Sequence, residues 1–480
     1  MAKIIGRKKE LKELQRLYES DEAEMLVVYG RRRVGKTFLI NQASSNIGFT
    51  FKITGLLRQN MQAQLSNFRE ALMEYFPNAE IGNLDNWMTA FSVLKKMIIQ
   101  TKTEGKKVIF FDELPWLDTK GSNFLGAFEW FWNTWGNSQD NLMMIICGSA
   151  TNWIIKKLFS DKGGLYNRAS SKMFLRPFTL AETEKYLQKQ GFDLERYDIA
   201  QIYMIMGGIP YYLKQLEPGR TVADNIDNCF FRKNGKLWDE YDNLFKTLFV
   251  NSDKYERIVE ALSAKQKGLT REEILSATKL PDNGVTSQAV KDLIKCGFIR
   301  TYQYYGQTSK DTTYQLADFY TMFYNRFIKK NYGHDEHFWT HLLDNPKKNN
   351  WQGYCFEQLC KDHIEPLKHA LGIGSVLTEQ SCWFSRSKDQ NPEPGAQIDL
   401  LIDRRDNYIN VCEMKFSVGE FVIDKDYSTK LRNKLEALKS TLKKSKGLVL
   451  TMVTTFGVKH NMYYNQVKQE VVLDDLFLEM

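Results

Sequence analysis

Gly30-Arg31-Arg32-Arg33-Val34-Gly35-Lys36-Thr37 reads GxxxxGK[ST]. An apolar run, Met25 to Tyr29, leads into it and predicts a buried strand. The run from Phe38 to Ala43 leaves it with the period of a helix. A strand entering and a helix leaving is the setting this pattern needs. Gly30 and Gly35 let the backbone curl, so that the amides around Arg31, Arg32, Arg33 and Val34 converge at a helix N-terminus and favour an anion. Lys36 reaches the β- and γ-phosphates of a nucleotide, and the Thr37 hydroxyl ligates Mg²⁺. Gly30 through Phe38 is therefore the expected nucleotide-binding set, with Lys36 also acting in catalysis.

Working outward, the chain of 480 residues has room for two to four domains, each with its own core. Its 43% hydrophobic and 26% charged content is that of an ordinary folded protein. A net charge of +8 permits a polyanionic partner without demanding one. No apolar run is long enough to cross a bilayer, so no membrane partner is expected. Seven cysteines without CxxC spacing argue against a disulfide framework or a zinc ribbon. With no secretory apolar stretch at the start, a cytoplasmic location with reduced thiols is expected.

Lys107-Val108-Ile109-Phe110-Phe111-Asp112-Glu113 is a second buried strand, ending in paired carboxylates. Open α/β sheets bind ligands at that strand edge. Asp112 is placed to hold Mg²⁺, and Glu113 to orient and deprotonate the attacking water.

These two stretches resemble the Walker motifs of P-loop NTPases. Gly6-Arg7-Lys8-Lys9-Glu10-Leu11 is similar to the GRxxEL box of archaeal and signal-transduction (STAND-like) AAA+ ATPases, where it packs near the adenine. The resemblance implies ATP as the nucleotide. Asn141 to Ser149 resembles the sensor-1 strand, which lies between the two Walker strands in those enzymes. Either Ser149 or Asn152 then meets the γ-phosphate or its water; a helix N-cap is an equal reading of Ser149 or Thr151. Arg168, after Gly163-Gly164, is a candidate arginine finger or a surface or lid-paired arginine. Leu180 to Gln190 and Asp198 to Met206 read as lid helices. Gly207-Gly208-Ile209-Pro210 resembles the GxP motif, in which the proline abuts the base; a helix-ending turn is the competing reading. No convincing sensor-2 arginine accompanies it.

Tyr255 to Ala264, a helix opened by Thr270-Arg271-Glu272-Glu273, and Asn283 to Cys296 precede two alternating strands around Gly306. That order predicts a winged helix-turn-helix, with Ser287, Gln288, Lys291 and Lys295 facing a groove or with the element serving only for packing. His334, His337 and His341 have the spacing of one helical face, read as a packing surface rather than a metal site. Asp344 to Asn350 reads as a linker.

Beyond it, Trp351 to Ile364 predicts a helix bearing Glu357. Ala396 to Ile402 and Tyr408 to Lys415 predict a hairpin. Residues two apart on a strand share a face, so Glu413 and Lys415 project together, and the neighbouring strand brings Asp399. Asp399 and Glu413 can share Mg²⁺, which lowers the pKa of an attacking water, while Lys415 steadies the phosphate charge. A basic helix, Lys430 to Lys446, and a buried strand, Gly447 to Val453, follow. The set resembles PD-(D/E)XK nucleases, and that likeness implies Glu357 as a further metal ligand.

The fold expected is α/β: a P-loop NTPase (AAA+-like) parallel sheet over 1–178, a helical lid over 179–250, a winged helix and aromatic junction over 251–343, and a restriction-endonuclease-like domain over 344–480. The whole resembles prokaryotic AAA+-like ATPases with a C-terminal nuclease-like domain. It implies an ATP- and Mg²⁺-dependent enzyme with a nucleic-acid partner, DNA before RNA, in a possible homo-oligomer. The competing reading is a nucleotide-operated switch or scaffold.

Overall fold

The computed structural model describes residues 4–149, 151–159, 165–249, 251–306, 312–331, 333–384 and 397–479. Gly163, Gly164 and Ala396 lie outside the described residues. The chain divides into two units, Met1–Pro177 with Thr247–Val250, and Phe178–Lys246 with Asn251–Met480.

The first unit is built on β1 (Glu24–Tyr29), β2 (Phe51–Thr54), β3 (Lys107–Asp112), β4 (Leu142–Gly148) and β5 (Ser171–Phe174). They form one parallel sheet in the order β2-β3-β4-β1-β5. Strands buried on both faces need unbroken apolar runs, and β4, Leu-Met-Met-Ile-Ile-Cys-Gly, is buried throughout. It lies between β1 and β3, as the sequence reading expects. The core beside the sheet is aromatic. The ring of Phe91 lies 5.2–6.1 Å from those of Phe68, Trp87, Phe111, Phe124, Phe128 and Phe131. Two helices that the sequence reading leaves unassigned, Trp87–Gln100 and Phe124–Thr134, supply most of that cluster. Asn60 and Asn86 cap their helices by accepting hydrogen bonds from the amides of Ala63 and Thr89.

The second unit starts with helix Leu180–Lys189, opened by a Thr179–Glu182 capping box, and helix Arg196–Met206. Helices Asp253–Ala264, Arg271–Thr278 and Gly284–Lys295 precede an antiparallel hairpin, β6 (Ile299–Tyr302) and β7 (Thr313–Leu316). Its last sheet contains β8 (Thr378–Phe384), β9 (Gln397–Arg404), β10 (Tyr408–Lys415), β11 (Gly447–Thr454) and β12 (Gln469–Val472), in the order β12-β11-β10-β9-β8. The first three form an antiparallel meander. Helix Lys425–Thr441 then crosses to β11, parallel to β10, and β12 is parallel to β11. The first helices of this unit have partners far along the chain. The Leu180 amide donates to His363 Nε2 at 2.9 Å, Lys185 pairs with Glu479 at 2.5 Å, and Arg196 lies 3.6 Å from Asp474.

Three expectations change. Asp344 to Asn350 is not a linker throughout: helix Pro346–Asp362 begins inside it, with Asn345 capping the Lys347 amide. Proline's fixed φ and missing N–H suit a first turn, so Pro346 starts the helix rather than preventing it. The three histidines do not share a helical face. Gly333 (φ 74°) follows the helix ending at Asn331, His334 sits in a turn, and only His341 is inside helix Phe338–His341, where it pairs with Asp335 at 2.9 Å. The basic helix ends at Thr441, so Lys443, Lys444 and Lys446 lie beyond it.

Candidate functional site

In the first unit the phosphate-type loop joins β1 to helix Lys36–Ala43. Gly30 has φ 142°, and a Cβ there would fall 2.5 Å from the Leu175 carbonyl oxygen, so no side chain fits. Lys36 is buried, and its ammonium donates to the carbonyls of Gly30 at 3.1 Å and Arg31 at 2.9 Å. The loop is thereby tied to the side chain that it surrounds. Arg31 and Val34 are buried, Arg33 takes a left-handed φ of 70°, and Arg32 donates to Thr247 Oγ1 at 3.1 Å. Phe38 is 48% exposed. Arg7, of the GRxxEL stretch, is buried and reaches the Val34 carbonyl at 3.4 Å.

The two strand ends bring the expected Mg²⁺ residues together. Thr37 Oγ1 donates to both oxygens of Asp112, at 2.9 and 3.1 Å. Glu113 has a left-handed backbone, φ 48° and ψ 46°. Its Oε2 accepts from the Ser149 amide at 3.0 Å and the Ser149 hydroxyl at 2.9 Å. Ser149, one of the two sensor candidates, thus holds Glu113. Thr37 as metal donor and Asp112 as carboxylate donor are hard oxygens, the chemistry Mg²⁺ takes. Sequence reading misses Gln64, fully buried: its amide oxygen accepts from Leu56 N at 3.1 Å, and its amide nitrogen donates to Trp116 O at 2.9 Å. It ties the segment after β2 to the segment after Glu113; a glutamine among apolar helix positions is its one sequence signal. Arg168 is exposed in a turn. In the second unit, Gly207 ends its helix in a left-handed conformation, and Pro210 opens helix Pro210–Leu213.

The second carboxylate group lies on β9 and β10. The register that pairs Cys412 with Leu400 sets Glu413 beside Asp399. Glu413 is buried; one oxygen accepts from Lys434 Nζ at 2.5 Å and the other from the Tyr427 hydroxyl at 3.1 Å. Lys415 Nζ lies 5.2 Å from the centre of the Tyr427 ring. Asp399 Oδ1 accepts from Gln397 at 2.7 Å. Glu357 belongs to the same group: burial and then the Asp399 charge push its carboxyl up to about 8, against Lys361 and Lys415. Burial, then Glu413, raises the Tyr427 hydroxyl as well. Among the described residues, no group of three His, Cys, Asp or Glu side chains is disposed to hold a metal. Asp399 and Glu413 remain a two-carboxylate oxygen set, which fits Mg²⁺. Sequence reading places Lys434 only within the basic helix and does not single out Tyr427. Their i, i+7 spacing on one helix face is the signal that could have found them.

On helix Gly284–Lys295, Ser287 accepts from Arg271 at 2.8 Å and Gln288 donates to Asp292 at 2.5 Å. Lys291 is exposed. Two of the four groove-facing candidates are therefore engaged within the chain. All seven cysteines are free. Among the described residues, no helix is long and apolar enough to cross a membrane.

Residues 4–216 match the model of a family described as an ATPase domain predominantly from Archaea. An uncharacterized protein of Methanocaldococcus jannaschii, MJECL04, is 26% identical over 401 residues, covering 83% of this chain and 84% of the relative. An uncharacterized ATP-binding protein of the same organism, MJ0423, is 45% identical over 43 residues, 9% of this chain and 73% of the relative. Among solved structures, the Walker-type ATPase of Pyrococcus abyssi is 18% identical with a TM-score of 0.46, over 68% of this chain and 96% of that one. The Aeropyrum pernix ORC2 protein is 10% identical with a TM-score of 0.41, over 73% and 97%. The family match falls on the loop and the carboxylate strand whose geometry is given above, and supports an ATPase domain over residues 4–216.

Proposed function

We propose that this chain is an AAA+-like enzyme that hydrolyses ATP with Mg²⁺ and thereby governs a nuclease-like region that binds or cuts nucleic acid, DNA before RNA. The observation that carries the coupling is that one chain holds two separate carboxylate sites, each at the end of a buried strand. At the first, Lys36 holds the phosphates, Thr37 and Asp112 hold Mg²⁺, and Glu113 takes the proton of the attacking water. Ser149 aims Glu113. Arg168 offsets charge developing on the γ-phosphate, and Pro210 abuts the base.

At the second, Asp399 and Glu413 hold the metal and Lys415 steadies the phosphate. Bound there, the metal supplies Lewis acidity and an acidified water. The order helix, three-strand meander, crossing helix, parallel strand supports a PD-(D/E)XK-like domain over 344–480. Three helices and a hairpin support a winged helix over 251–343, after a lid over 179–250.

One observation favours the second reading, a nucleotide-operated switch or scaffold: Glu413 is already paired with Lys434. A cleavage assay on plasmid DNA and on RNA, with Mg²⁺ or Mn²⁺ and with or without ATP, separates the two. Cleavage that disappears in Asp399→Ala and Lys415→Ala supports the enzyme. No cleavage of either nucleic acid leaves the switch.

A further inference from the structure

We infer that Lys434 is a phosphate-responsive residue of the C-terminal pocket: it holds Glu413 until a nucleic-acid phosphate draws its ammonium away, so that phosphate and a divalent cation bind together. The inference rests on the nuclease-type reading of that pocket.

Ionised, three carboxylates, Asp399, Glu413 and Glu357, gather with three ammoniums, Lys415, Lys434 and Lys361. Charge is balanced within the chain. A divalent cation entering that balance adds two charges where little water screens them, and Lys434 Nζ sits 2.5 Å from the oxygen that a cation needs. A phosphodiester returns one negative charge and offers Lys434 a new acceptor. The side chains differ in freedom: Glu413 is 4% exposed, whereas Lys434 is 23% exposed and leaves toward solvent without unpacking the sheet. Lys434 also has company. Tyr427, Lys430 and Lys434 fall on one face of helix Lys425–Thr441, and Lys430 is exposed one turn away. A phosphate leaving Glu413's neighbourhood along that face meets a second cation. Tyr427 supplies a neutral hydrogen bond to the other Glu413 oxygen, so it keeps the carboxylate in place when Lys434 departs. Lys415, over the Tyr427 ring, makes no hydrogen bond to Glu413.

The test is calorimetric titration of Mn²⁺ into the full chain without nucleotide, with and without a short DNA duplex. Glu413→Gln sets the background from sites elsewhere. The expected result is that Lys434→Gln binds Mn²⁺ about tenfold tighter than wild type without DNA, and that DNA tightens the wild type by a similar factor but not the variant. Glu413-dependent binding that is no tighter in Lys434→Gln overturns the role of Lys434 while leaving the metal pocket standing. Binding indistinguishable from Glu413→Gln in every protein, with no cleavage, overturns the pocket reading and the inference together. If Lys434→Gln does not fold, the wild type decides alone: no tightening of Mn²⁺ by DNA overturns the proposal.

Discussion

At the end of β3, Asp112 and Glu113 take their hydrogen bonds from uncharged donors, the Thr37 hydroxyl and the Ser149 amide and hydroxyl. On β10, Glu413 takes its closest one from an ammonium, Lys434. A neutral donor orients a carboxylate and leaves its charge available to Mg²⁺ or to a water proton. A cationic donor orients it and cancels the charge. The first arrangement is ready for its ligand; the second has to exchange a partner first. Two sites with similar residue types thus differ in when their charge is on offer.

The hardest test of the ready site is Glu113→Gln. It keeps size and hydrogen-bonding capacity but removes the proposed base, so ATP turnover should fall by about 10²–10⁴-fold while binding survives. A variant that turns over ATP at the wild-type rate would break the comparison at its root. Lys36→Ala comes next: losing the buried ammonium should weaken binding of a fluorescent ATP analogue by about 100-fold. Ser149→Ala asks for less. The backbone amide still holds Glu113, so kcat should drop by about tenfold with KM little changed. A change confined to KM would assign Ser149 to binding instead.

The smallest effect concerns a third kind of donor arrangement, the buried imidazole of His363. Nε2 accepts from Leu180 N and Nδ1 lies 2.9 Å from Leu359 O, so Nδ1 carries the proton and the ring is neutral. Burial lowers its pKa from the ordinary 6.5. Below that value the unfolded chain takes up a proton that the folded ring refuses. The stability is present above pH ~6.5 and is lost as pH falls toward the folded pKa, by at most about 1.4 kcal/mol per pH unit. Urea midpoints of wild type and His363→Gln between pH 7.5 and 5.5 measure the difference. A gap that does not change with pH would remove His363 from the acid response.

How much of this was legible depended on sequence distance. The phosphate loop and the Asp112-Glu113 pair are contiguous, and both emerged where the sequence placed them. The contact of Ser149 with Glu113 was not legible, because it turns on the register of β4 against β3 and the left-handed backbone of Glu113. Tyr427 and Lys434 lie 14 and 21 residues from Glu413, so only the crossing helix makes them neighbours. Helix Phe124–Thr134 escaped notice because Phe124, Phe128, Phe131 and Trp132 are buried among other bulky apolar residues, which blurs a single stripe. The histidine spacing misled because Gly333 breaks the helix that it assumed.

The long-range partners of helices Leu180–Lys189 and Arg196–Met206 bear on how the chain is made. A ribosome finishes the first unit's sheet with β5, at Phe174. Leu180 then waits for His363, 183 codons later, and Lys185 for Glu479, 294 codons later. At ~5–20 residues per second the longer delay is roughly 15–60 s. During it these two newborn helices expose the apolar faces that the finished protein covers, so nascent chains stalled before Asp474 should recruit a holdase chaperone that full-length chains do not.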